Sequence, residues 1–279
     1  MTGEKLVVRQ ATAGDRSRLI YLIEHAQRVR VPRCWPVGLE PRSILLAEEG
    51  RQLAGFVSAV VTYPPVSVLQ GIGLADPWPV TELLDLLLPP LVHGLRQQGA
   101  RALVYIGEEP WLIPPLRERT FAVVNRILTY VKDDFVVPSR GNQKVCVRPV
   151  QKEDLGTIVA LDEAAFDPLW RNTIDVLDEV RRHCPYFVVA ELDGRVVGYQ
   201  FNDLEGERGH LTRIAVHPDV QGQGIGVRLM AEAIDFFLAM DVESITLNTQ
   251  QDNWPARRLY HWFGFRPLER EALVLWKTL

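Results

Sequence analysis

The sequence predicts an α/β protein made of two tandem copies of one fold, each a mixed β-sheet flanked by α-helices. Three observations carry that expectation: an internal repeat, strand and helix periodicities that follow one another in the second copy, and a glycine-rich loop between a strand and a helix. In the repeat, Val8, Arg9, Asp15, Leu19, Ile20 and Leu22 return at one offset as Val147, Arg148, Asp154, Ile158, Val159 and Leu161. Ala47, Glu48, Gly50, Arg51 and Gly55 return as Ala190, Glu191, Gly194, Arg195 and Gly198, within a residue or two of that offset. At the ends, Phe121, Leu128, Tyr130 and Lys132 match Phe265, Leu273, Leu275 and Lys277. The expected division is a first copy over 1–133, a linker over 134–144 with Pro138, Ser139, Gly141 and Asn142, and a second copy over 145–279. An intrachain pseudo-dimer follows from it.

The second copy reads clearly. Val145–Pro149 is extended, and Ile158, Leu161 and Ala165 give 154–166 helical spacing; a second helix is expected near 172–183. Tyr186–Leu192 and Arg195–Asn202 form a hairpin across Asp193-Gly194, and His210–His217 is a further strand. Leu229, Met230, Ala233, Ile234 and Phe237 mark one apolar helical stripe. A strand over Glu243–Thr249 follows. Asn253 then caps a last helix with Pro255 near its start and Gly264 past its end, and Phe265–Lys277 is extended.

Composition narrows the class. At 279 residues and 31.7 kDa, with 47% hydrophobic and 24% charged residues, the chain suits two globular cores. A net charge of −4 argues against nucleic-acid binding; Arg28, Arg30, Arg33 and Arg181-Arg182 read as solvated surface. No apolar run approaches a membrane span of roughly 20 residues, and the first residues lack a signal-peptide pattern. Cys34, Cys146 and Cys184 make neither a disulfide framework nor a zinc cluster. The expectation is a cytoplasmic protein without a metal site.

Gln221-Gly222-Gln223-Gly224-Ile225-Gly226 precedes the apolar-striped helix. Glycines allow backbone N–H groups to converge, and a helix N-terminus adds partial positive charge, so the loop suits a phosphate or pyrophosphate. A plain strand-to-helix turn is the other reading. The Walker loop is excluded because Gly-Lys-Ser/Thr is absent, and the dinucleotide fingerprint fails because its third glycine comes one residue early. Taken with Ile214-Ala215-Val216-His217-Pro218 before it, and with Asn253, Ala256, Leu259-Tyr260 and Gly264-Phe265 after it, the loop resembles the GNAT superfamily of N-acetyltransferases. The likeness spans essentially all of 145–279.

That resemblance implies acetyl-CoA as acyl donor. It places the loop amides from Gln221 to Gly226 on the pyrophosphate, the Ile214, Ala215 and Val216 backbone along the pantetheine arm, and Asn253 against the coenzyme. The acceptor is an amine of a small molecule or of a peptide or protein. Tyr260 occupies the family position for protonating the leaving thiolate; the other reading is a core aromatic beside Trp254, Trp262 and Phe263. His210, four residues before Ile214, stands where some members place a basic carboxylate, and strand alternation puts it on the face of Thr212 and Ile214. A partly exposed turn histidine is the alternative. Glu205 and Glu207 could bind a cationic acceptor or be solvated, His217 and Asp219 shape the loop, and Cys184 packs. Ribosomal-protein acetyltransferases of the superfamily carry a glutamate where this chain has Asn248. A coenzyme-sensing or protein-binding module without turnover is the competing function.

The first copy is expected to be degenerate. Its counterpart loop contains no glycine between Gly73 and Gly94, and Asp76 and Glu82 would repel phosphate. Pro89-Pro90 should interrupt the following helix, and Leu116 stands where Tyr260 stands in the second copy. Trp35, Tyr63 and Trp78 are candidate walls of an acceptor pocket, with a ligand-free scaffold as the alternative.

Overall fold

A computed structural model describes residues 5–32 and 44–279, so Arg33, Cys34 and Trp35 lie outside the described residues. The chain divides into two compact units, Met1–Val124 with Ala272–Leu279, and Asn125–Glu271. Strand β1 (Val7–Gln10), helix α1 (Arg16–His25) and strands β2 (Arg28–Arg30), β3 (Ile44–Glu49), β4 (Gln52–Tyr63) and β5 (Val66–Leu74) open the first unit. Helix α2 (Val80–Gln97), strand β6 (Ala102–Gly107) and helix α3 (Ile113–Glu118) continue it. Strands β1, β3, β4 and β5 pair antiparallel in that order, and β5 runs parallel to β6.

Strand β7 (Ala122–Lys132) leads into the second unit, followed by β8 (Cys146–Pro149), α4 (Leu155–Ala165), α5 (Ile174–His183), β9 (Tyr186–Leu192), β10 (Arg195–Glu205) and β11 (Arg208–Val216). Helix α6 (Ile225–Ala239), strand β12 (Ser244–Gln250), helix α7 (Trp254–Trp262) and strand β13 (Arg266–Thr278) close the order. Here β8, β9, β10 and β11 pair antiparallel, and β11 runs parallel to β12. Each unit is therefore a mixed sheet with helices.

The division at 133 and 145 is not where the compact units part. Similarity pairs β7 with β13 as the last strands of their copies, but the hydrogen-bonded partners are exchanged. Ile127–Lys132 pairs with β12 in the second unit, and Leu273–Thr278 pairs with β6 in the first. Tyr130 joins the core of Met230, Ile234 and Phe237, and Leu275 joins that of Leu83, Leu87 and Leu103. Apolar alternation fits either partner, so the pattern alone does not set the pairing.

The repeated polar residues have one task in both units. Arg9 bridges Asp15 (2.6 Å) and Glu48 (2.7 Å); Arg148 bridges Asp154 (2.7 Å) and Glu191 (2.9 Å). Each aspartate also accepts the N–H that begins its short 3-10 turn, from Thr12 and from Gln151, both at 2.8 Å. The motif ties the first strand to the next sheet strand and caps the turn entering the first helix.

Helix α2 departs from expectation: it runs unbroken through Pro89 and Pro90. Both prolines are exposed, so water can serve the carbonyls their missing N–H groups leave, while seven buried residues from Leu83 to Leu95 hold the inner face. Burying each such leucine contributes about 2 kcal/mol, enough together to offset the helix penalty of about 3 kcal/mol per proline.

Candidate active site

Strand β11 is closed at one end and open at the other. Its parallel ladder with β12 covers Arg208–Leu211 and stops there. On its other side it stays paired with β10 to Val216, with a slip at which Phe201 faces Arg213 and Asn202 faces Leu211. Thr212 is the extra residue of this bulge, which bends β11 away from β12. His217 N–H donates to Val197 O (2.9 Å), so alternation turns the backbone groups of Ile214 and Val216 toward the open edge and those of Ala215 toward β10. Of the three residues expected along the arm, two offer backbone groups to the groove.

The loop lies at the mouth of that opening. His217 Nδ1 accepts from Asp219 N (3.3 Å), forming a short turn over Pro218–Val220. The Gln221 N–H is already bonded to Pro218 O (3.2 Å), and its side-chain amide donates to Val216 O (3.1 Å). Gln221 thus anchors the loop to the strand end. Gly222 and Gly224 each have φ +77°, a conformation that side chains disfavour. The first backbone bond into α6 is Arg228 N to Gly224 O (3.0 Å), which leaves the amides of Ile225, Gly226 and Val227 without intrahelical acceptors. A pyrophosphate fits this donor set.

Helix α7 supplies the far wall. Asn253 Oδ1 caps it by accepting from Ala256 N (3.3 Å), with Pro255 in the first turn. A cavity of about 580 Å³ is lined by Phe166, Ile214, Val216, the loop glycines, Asn253 and Tyr260. Tyr260 is only 4% exposed, its ring 6.0 Å from that of Tyr130, and burial pushes its phenol well above the ordinary range. It remains a protonated donor.

His210 is not among the residues lining that cavity. It pairs with Thr246 inside the closed part of the ladder, where its Nδ1 meets Thr246 Oγ1 at 2.9 Å. Thr246 Oγ1 also donates to Gly209 O (3.1 Å), which ties the imidazole to the closed end of the strand. The expected face is corrected by the bulge. Gly209 abuts Phe237, and Leu211 and Ile214 pack with Met230 and Ile234, while Arg213 stacks on Phe166 (4.2 Å) and Ala215 packs with Ile158. His210 and Ile214 therefore lie on opposite faces. Glu205 and Glu207 are exposed. Cys184 donates to Asn202 O (2.9 Å), and burial raises its thiol, consistent with packing.

Sequence reasoning missed a buried polar cluster behind the cavity wall. Asp162 is fully buried, accepts from the Tyr199 hydroxyl and from Asn172 N (2.6 Å), and lies 3.9 Å from Arg213. Arg213 in turn donates to Trp170 O (2.5 Å) and stacks on Phe166. Together these bonds fix 166–172 against β11. The available signal was a carboxylate at 162 inside the apolar stripe of Ile158, Leu161 and Ala165. Among the described residues no group of three or more His, Cys, Asp and Glu could hold a metal, and no helix is long and apolar enough to cross a membrane.

The first unit treats the equivalent edge differently. Ala75 N donates to Ala54 O (2.8 Å), as His217 does to Val197, so Ile72 and Leu74 correspond to Ile214 and Val216. That edge is filled: Arg28 pairs with Leu74, Val29 with Gly73 and Arg30 with Ile72. Strand β2 takes the place of any arm. Where the loop would be, Pro77, Trp78, Pro79 and Glu82 line a cavity of about 740 Å³ with Glu49 and Asp85.

Comparison with known proteins bears on the C-terminal unit. Residues 154–265 match the Acetyltransferase (GNAT) family. The C-terminal unit carries a GNAT acetyltransferase domain. A protein of Bacillus subtilis (strain 168), provisionally named as a ribosomal protein bS18-alanine N-acetyltransferase, is 25% identical over 146 residues, which are 49% of this chain and 97% of that protein. An uncharacterized N-acetyltransferase of Methanocaldococcus jannaschii is 29% identical over 121 residues, 43% of this chain and 77% of its own. Two structures share the fold over the chain's length. A GCN5-related N-acetyltransferase from Sphaerobacter thermophilus has TM-score 0.67 at 15% identity, covering 100% of this chain and 97% of that one. A tandem GNAT protein from the clavulanic acid biosynthesis pathway has TM-score 0.67 at 13% identity, covering 98% and 97%. The family match and the names of these relatives support an acetyltransferase, with the matched domain in the C-terminal unit.

Proposed function

We propose that the C-terminal unit moves an acetyl group from acetyl-CoA directly to a primary amine. The observation that carries this reading is one cavity lined by the open β11 edge, the loop glycines and a buried, protonated Tyr260. Acetyl-CoA, when bound, supplies a thioester carbonyl open to attack by an amine. The amides of Gly222 to Val227 would hold its pyrophosphate, and the backbone of Ile214 and Val216 would run along its arm. In the transfer a C–N bond forms, the C–S bond breaks, and one amine proton ends on the departing sulfur. An ordinary thiol has a pKa of about 8.5. Since Tyr260 is held far above that, its hydroxyl serves as a hydrogen-bond donor to the developing thiolate and keeps its own proton. His210, set outside the cavity, would take the ammonium proton through water.

The acceptor is a small-molecule amine or an amine of a peptide or protein. The Bacillus relative's name points to an alanine N-terminus, but Asn248 here replaces the glutamate of ribosomal-protein enzymes, and its Oδ1 is bonded to Thr129 (2.9 Å). With β2 on the equivalent edge of the first unit, one coenzyme is bound per chain.

Thermal unfolding with acetyl-CoA tests the reading. Ligand at about 100 times its dissociation constant adds roughly 2.7 kcal/mol to the state that binds it. Gly226→Glu is the informative variant: Gly226 is helical, its Cβ would stand 3.7 Å from Leu259 and 3.8 Å from Val216, and a longer acidic side chain would enter the cavity. Gly226→Glu should leave the ligand-free melting temperature unchanged and abolish the shift. An equal shift in the variant would move the coenzyme elsewhere; no shift in either protein would leave a binding module of other specificity.

A further inference from the structure

The segment joining the two copies reads in sequence as a passive linker, yet its residues touch the loop assigned above to the coenzyme. Asn142 N donates to Gly224 O (3.2 Å), and Asn142 Nδ2 donates to Gln223 O (3.0 Å). Its Oδ1 accepts from Lys144 N (3.0 Å), so the side chain is fixed at both ends. Gly141 lies closer still. It has φ +64°, and a Cβ there would stand 2.5 Å from both Gly224 O and Arg228 N, a contact that only glycine permits.

A trans peptide points its N–H opposite to its C=O. With the carbonyls of Gln223 and Gly224 drawn toward Asn142, the N–H groups of Gly224 and Ile225 must point away from the linker. Gly224 and Ile225 line the cavity, and residues 139–144 do not. We infer that Gly141 and Asn142 are positioning residues for the coenzyme loop: they hold its carbonyls outward so that its amides are set for a pyrophosphate before the ligand arrives. This inference rests on the coenzyme reading above. Preorganisation matters at a loop with two left-handed glycines, because each unrestrained glycine adds conformations that binding must then remove.

The test is calorimetric titration of CoA into the full-length chain, with the ligand-free melting temperature of each variant measured beside it. Asn142→Ala removes the side-chain donor; Gly141→Ala forces the segment off the loop. Arg140→Ala is the control, since the Arg140 side chain pairs with Asp235 of α6. Asn142→Ala and Gly141→Ala should weaken CoA about five- to tenfold, the scale of one lost hydrogen bond. For Asn142→Ala the ligand-free melting temperature should stay near wild type, and Arg140→Ala should bind within twofold of it. If wild type binds and both loop-facing variants bind within twofold of it, the brace is refuted while the coenzyme site stands. Equal weakening in Arg140→Ala, with falling melting temperatures, would also refute it, since the segment would then anchor the fold. Absence of CoA binding by wild type would overturn the coenzyme reading and this inference with it.

Discussion

Tyr260 and Asp162 are both buried polar residues of the C-terminal unit, and they differ in what surrounds their oxygens. Tyr260 lines the cavity, so removing its hydroxyl should cost chemistry more than binding. Tyr260→Phe is expected to lower kcat on the order of 100-fold, with the CoA dissociation constant within twofold of wild type, once an amine acceptor allows steady-state measurement. Asp162 meets Tyr199, Asn172 and Arg213, with no exposed surface. Asp162→Asn leaves the half-buried Arg213 without its counter-charge and should cost about 3 kcal/mol in urea unfolding. The position of Tyr260 was legible because a motif surrounds it. Asp162 looked like one more helical carboxylate, and only its place in an apolar stripe set it apart. His210 shows the opposite failure: strand alternation was applied across Thr212, where a bulge reverses it.

At the scale of elements, loop and strand edge act together. The bulge opens β11, Gln221 ties the loop to its end, and α6 begins where the amides converge. The strand order and the glycine loop could be read from periodicity, turn residues and motif spacing. What fills an edge could not: Arg28–Arg30 is too short a pattern to announce that it pairs with β5. The proline pair in α2 misled because a local penalty was weighed without the leucine face beneath it. The repeated Arg–Asp–Glu clusters carry a pH prediction. Hydrogen bonds from Arg9 and Arg148 hold Asp15 and Asp154 below the ordinary carboxylate range. With folded values depressed, their stabilisation is present above the unfolded pKa of about 3.9 and is lost as pH falls through the folded values. Asp154→Asn should therefore cost about 2 kcal/mol at pH 7 and reduce the loss of stability on acidification below pH of about 4, as followed by urea unfolding across that range.

For the whole molecule, the exchanged last strands decide what can fold. A fragment beginning at 134 would lack Ile127–Lys132, baring the edge of β12 and removing Tyr130 and the buried Lys132, which donates to Phe263 O (2.6 Å). Such a fragment should melt lower and aggregate more than one beginning at 122, although sequence similarity alone would place the cut at the linker. The repeat was legible because its polar clusters and glycines persist; the exchange was not, because pairing leaves no residue pattern of its own. Most directly, the central claim, one coenzyme groove per chain and in the C-terminal unit, is tested by the stoichiometry of CoA binding in a calorimetric titration of the full-length protein. One CoA per chain, lost in Gly226→Glu, is the expected result. Two per chain, or one that survives Gly226→Glu, would contradict it.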